Sequence, residues 1–134
     1  MKELTKLCLE LETVVKNAYE KGVSLEEAER LAAKMLGAQM VIAKELEVVD
    51  LDSRMKKNGV KTIKAAVYME ELTKHEKKPA EGFLEHAINL NKLVGDEQSA
   101  YEKVDARKDA LNTYLSIFRE AHIYFRTVSR GSFQ

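Results

Sequence analysis

The sequence predicts an all-α protein: an elongated helical bundle with a long C-terminal helix and coiled-coil-like packing. Three observations carry this. One proline and no tryptophan occur in 134 residues, so chain-breaking residues are scarce and helices can run long. Charged residues make up 33% and apolar residues 45%, a mix that suits exposed, charged helices better than a thick globule. Apolar residues also recur at steps of three and four over several stretches, the spacing of one helix face. The length fits a single helical domain, residues 1–134. Within it the pattern divides into an N-terminal helical hairpin (1–59), a short basic helix with a connector (60–78) and a long C-terminal segment (79–130).

The first helix is expected from about Lys2 to Glu20. Leu4, Leu7, Leu11, Val14 and Ala18 form a narrow seam, with Cys8 and Val15 beside it, as in helix-on-helix packing. Gly22 suits a left-handed helix end. Ser24-Leu25-Glu26-Glu27 is a capping-box pattern that starts the second helix. Leu25, Ala28, Leu31, Ala32, Met35, Leu36, Met40, Ala43 and Leu46 form its apolar face. Gly37 inside it signals a close helix contact or a bend. The helix weakens near Val49–Ser53, and Asn58-Gly59 reads as a break. A third helix follows over about Val60–Lys74. His75–Lys78 connect onward, and Pro79 fits the first position of the next helix.

From Ala80 the pattern is helical almost to the end, with a short helix at about 80–92 compatible with soft points at Gly82 and Gly95. Beyond it, Leu90, Val94, Glu97, Tyr101, Val104, Lys108, Leu111, Leu115, Phe118, His122 and Phe125 alternate in steps of four and three. Unbroken, Leu90–Val128 would span roughly 58 Å at 1.5 Å per residue. Arg130-Gly131-Ser132 ends it and leaves a short tail. A seam this long outruns what the rest of the chain readily covers, so it predicts a homo-oligomer. Its interface is expected at Tyr101, Val104, Leu111, Leu115, Phe118, His122 and Phe125.

No Walker-type glycine loop, Gly-x-Ser-x-Gly or His-Glu-x-x-His occurs, nor any Glu-x-x-His, so the reading is of a non-enzyme without metal or cofactor. The single Cys8 lies among leucines and reads as a buried apolar residue. His75, His86 and His122 are scattered, and the last reads as a packing residue in the seam. Met1–Glu12 carries charges throughout and no apolar run approaches the ~20 residues of a membrane span. The expectation is therefore a cytoplasmic protein that makes no use of a membrane.

The net charge of zero is a cancellation. Residues 1–53 carry seven basic and eleven acidic side chains; 54–78 carry eight and three; 79–118 carry four and seven; 119–134 carry three and one. Two basic islands thus stand in acidic surroundings, and local potential decides what a surface attracts. In the first island Arg54, Lys57, Lys61 and Lys64 step by 3, 4 and 3. A backbone that stays helical past Gly59 makes them one stripe; a turn there clusters Lys56, Lys57, Lys61 and Lys64 instead. Lys74, Lys77 and Lys78 extend the region. Such cations neutralise phosphates, pair with an acidic protein, or simply solvate beside the acidic segments. In the second island Arg119, Arg126 and Arg130 share a helical face with Ile123, and Tyr124 lies near. Arginines with an aromatic suit single-stranded nucleic acid, and they equally suit a protein interface.

The stretch Lys64-Ala65-Ala66-Val67-Tyr68-Met69-Glu70, the seam segment Tyr114-Leu115-Ser116-Ile117-Phe118 and the ending Val128-Ser129-Arg130-Gly131 give the chain its likeness. It resembles small all-helical phage recombination mediators of the UvsY type, which have about this length. The resemblance implies a ring-forming protein that binds single-stranded DNA and helps a recombinase displace a single-strand-binding protein. Its setting would then be a host cell cytoplasm. On that reading the basic islands contact phosphates and the seam builds the oligomer. The alternative is a helical interaction module, an adaptor, inhibitor or structural subunit, with no nucleic-acid role.

Overall fold

In a computed structural model the protein is all-α, with four helices among the described residues, 2–131: α1 (Lys2–Lys21), α2 (Leu25–Thr73), α3 (Glu81–Leu90) and α4 (Lys92–Ser129). The tail expected after Gly131 lies outside the described residues. The contacts form two compact units. One comprises Met1–Glu47 and Asp109–Gln134, the other Val48–Lys108. Both α2 and α4 contribute to each.

Local chemistry sets the helix ends. Gly22 takes φ +74° after α1 and its N–H bonds the Ala18 carbonyl at 2.8 Å, a left-handed stop that a side chain would resist. Ser24 caps α2 as its sequence pattern requires: Oγ accepts from the Glu27 N–H at 3.2 Å. Asn91 separates α3 from α4 by one residue. Its Oδ1 accepts from the N–H groups of Leu93 (2.9 Å) and Val94 (3.3 Å), so it is the N-cap of α4. The long C-terminal helix therefore starts at Lys92. Leu90 belongs to α3 and is 72% exposed, and the helix passes Gly95 without interruption. Ala80 is the N-cap of α3, which leaves Pro79 outside that helix and not at its first position.

The largest departure from the sequence pattern is at Asn58-Gly59. There is no break: α2 continues for 49 residues. The reason is a packing register that never slips. Ala32, Gln39, Leu46, Ser53, Val60 and Val67 follow one another at seven residues and are all buried or half-buried; so are Ala28, Met35, Ile42, Val49, Lys56 and Ile63. A sustained heptad holds a helix against its neighbours, and burial of each large apolar side chain contributes about 1.5–3 kcal/mol. That outweighs the roughly 1 kcal/mol an interior glycine costs. The separate helix expected over Val60–Lys74 is the second half of α2.

In the first unit, α1 buries Leu4, Cys8, Leu11, Val15 and Ala18, while Leu7 is exposed and Val14 half-buried. On α2, Leu25, Leu36, Met40 and Ala43, expected inside, are exposed; Ala38 and Ile42 are buried in their place. Antiparallel α4 meets α2 here. The Gln39 side chain donates to the Phe118 carbonyl at 3.4 Å, and His122 Nδ1 lies 2.9 Å from the Ala32 carbonyl. In the second unit α2 and α4 are again antiparallel: Asp50 meets Lys108 at 2.8 Å and Gly59 faces Glu97. At the start of α3, Glu81 receives the Tyr68 hydroxyl (3.2 Å) and the Lys78 ammonium (3.0 Å).

The residues expected at an oligomer interface are placed as follows. Phe118 and Phe125 are wholly buried within the chain and Leu111 nearly so. His122 is bonded to Ala32, and Leu115, Tyr101 and Val104 are half-buried. Much of this seam is covered within the chain by the part of α2 that precedes Gly59, since Gln39 meets Phe118, Ala32 meets His122 and Asp50 meets Lys108.

Candidate nucleic-acid interface

Because α2 is unbroken, Arg54, Lys57, Lys61 and Lys64 lie on one helical face. All four are exposed, and they span about 15 Å along the axis. Lys57, Lys61 and Lys64 make no ion pair with a described residue. Arg54 pairs with Asp50, whose other oxygen holds Lys108. The Lys108 hydrogen bond first, and the Arg54 bond second, hold the Asp50 carboxyl below its ordinary range. That keeps it ionised and leaves the Arg54 guanidinium anchored at the end of the stripe.

Lys56 does not join the stripe. It is half-buried at the margin of the packed face, in register with Val49 and Ile63, and pairs with Asp52 at 3.7 Å. The extension toward the connector is also largely neutralised. Lys74 pairs with Glu70 and Glu71, and Lys78 with Glu81; hydrogen bonds to those carboxylates raise the pKa of both lysines.

The second island belongs to the other compact unit. Arg119 and Arg126 are exposed on α4 and Arg130 in the turn just past its end, all unpaired among the described residues, with Ile123 59% exposed between Arg119 and Arg126. Tyr124 is not a free stacking platform as the sequence suggested. Its ring packs edge-on against Tyr19 (4.9 Å) and at an angle to Phe125 (5.4 Å), which uses it to join α1 to α4. Tyr19, half-exposed, is the aromatic at this end that the sequence did not single out; its only signal was a position next to the seam residue Ala18. Burial, then Glu120 and Tyr124, raise the pKa of the Tyr19 hydroxyl.

Other features hold no comparable concentration of chemistry. Among the described residues no group of three or more His, Cys, Asp or Glu side chains is placed to hold a metal ion, and no helix is long and apolar enough to cross a membrane. His75 stands edge-on to Phe83 and 3.9 Å from Glu71. A groove of about 290 Å³ between α1 and α2 is lined by Leu7, Glu10, Leu11, Val14, Lys34, Gly37, Ala38 and Val41. Nothing within 4 Å would meet a Cβ on Gly37, so this glycine opens the groove and mediates no close helix contact. Compared with known proteins, the chain matches no family model, no curated protein and no solved structure.

Proposed function

We propose that this protein is a non-enzymatic, oligomeric accessory protein that binds single-stranded nucleic acid, in the manner of a recombination mediator. The observation that supports this is the continuous stripe Arg54, Lys57, Lys61 and Lys64 on α2, three of whose four cations have no carboxylate partner among the described residues. Free cations at one-turn intervals are the arrangement that exchanges bound counterions for phosphates. The arginines of α4 supply a second such surface on the other unit.

The test is fluorescence anisotropy with a labelled single strand across a salt series. The logarithm of the binding constant falls with the logarithm of salt by about 0.7 per phosphate contacted. Replacing Lys57, Lys61 and Lys64 together by Gln should weaken binding and flatten that slope by about 2, whereas Lys56→Gln should leave it unchanged. No binding at low salt would remove the proposal.

A second reading, a helical protein-interaction module, draws on Ile123, an exposed apolar side chain near three arginines that have no ion-pair partner among the described residues. It calls for a protein complex that survives nuclease treatment.

A further inference from the structure

The side of α2 turned away from its packed register carries a second seam, without a partner among the described residues. Lys44, Val48, Leu51 and Met55 follow at steps of 4, 3 and 4, beyond Val41 at the edge of the α1–α2 groove, and every one is exposed; Val48, Leu51 and Met55 are 63%, 59% and 64% accessible. These steps are those of a coiled-coil seam, and since α2 is one helix they share a face by helical geometry alone. A row of large apolar side chains left in water marks an interaction surface. We infer that this face of α2 packs antiparallel against the same face of a second copy of the chain.

The charges beside the seam select both the occupant and its direction. In a parallel pair each Lys44 would lie on the other Lys44, and Glu47 would face Asp52 of the second copy, so like charges would meet on the seam and on its flank. In an antiparallel pair Val48 packs on Leu51 of the second copy. Lys44 lays its methylene stem on Met55 there, and Glu47 faces Arg54, twice by symmetry. Glu47 and Arg54 are both exposed; Arg54 also pairs with Asp50, and its guanidinium has further N–H groups for Glu47 of the second copy. On the opposite flank Glu45 falls toward Asp52 of the second copy, but each already has a partner in its own chain, so the Glu47–Arg54 pairs and the separation of the two Lys44 side chains favour the antiparallel direction of an isologous interface.

This inference takes up the self-association in the proposed function, but its test uses no nucleic acid, so the two fail separately. Sedimentation of the full chain should show concentration-dependent dimers. Leu51→Glu, at an exposed position and with helicity checked by circular dichroism, should weaken association at least ~10-fold, about 1.4 kcal/mol. Glu47→Arg and Arg54→Glu should each weaken it too. Mixed together, these two variants should form heterodimers, since both pairs between positions 47 and 54 then have opposite signs, a rescue that misfolded chains would not show. A chain that stays monomeric, association indifferent to Leu51→Glu, or no heterodimer on mixing would each overturn the inference.

Discussion

His122 of α4 places Nδ1 2.9 Å from the carbonyl oxygen of Ala32 on α2. The carbonyl can only accept, so Nδ1 carries the proton and donates. The ring sits between Phe118 and Phe125 in sequence register and is half-buried, so it ties α4 to α2 by both packing and a hydrogen bond. His122→Phe keeps most of the packing and should cost about 1 kcal/mol for the lost bond. His122→Ala should cost roughly 2–3 kcal/mol as both contributions vanish. Urea unfolding of the two variants separates them; equal midpoints would show that the bond contributes nothing.

Asp50 makes stability depend on acid. Its folded pKa is lowered, first by Lys108 and then by Arg54, so the stability it contributes is present above the unfolded carboxylate pKa of about 4 and is lost as pH falls through the lower folded value. Asp50→Asn should lower stability at neutral pH and flatten the fall below about pH 4. Unfolding midpoints measured from pH 7 downward check this. The carboxylate is at the surface, so added salt should shrink the difference.

Gly59 tests why α2 does not break. A Cβ there would stand 3.3 Å from Glu97 Oε2, the free end of a flexible, exposed side chain that can swing aside. Gly59→Ala should therefore stabilise the protein by up to ~1 kcal/mol through helix propensity. Gly22→Ala, at φ +74°, should instead destabilise by about 1–2 kcal/mol. Thermal midpoints moving in the same direction for both would contradict this account.

Much of the fold was legible in the sequence. Ser24 and Gly22 announce their helix ends by local chemistry that needs no tertiary partner, and the 3–4 spacing from Val94 to Phe125 marks the inner face of α4. The basic stripe was legible only conditionally, because its geometry hung on Asn58-Gly59. The apolar seam at Val48, Leu51 and Met55 lay in plain view, but spacing alone does not separate it from the packed register on the same helix.

What the sequence by itself determined is therefore the periodicity: long helices, their caps, and which side chains share a face. Those follow from backbone geometry and from interactions within a few residues. The tertiary structure decided which face is used. Packing across α2 and α4 carried the helix through Asn58-Gly59, since burial along a sustained heptad exceeds one glycine's propensity cost. It drew Phe118 and Phe125 into the chain's own core and set Lys56 at the margin of the packed face. It left Val48, Leu51 and Met55 in water. A helical pattern can name several apolar faces, and only the contacts made by distant segments choose among them.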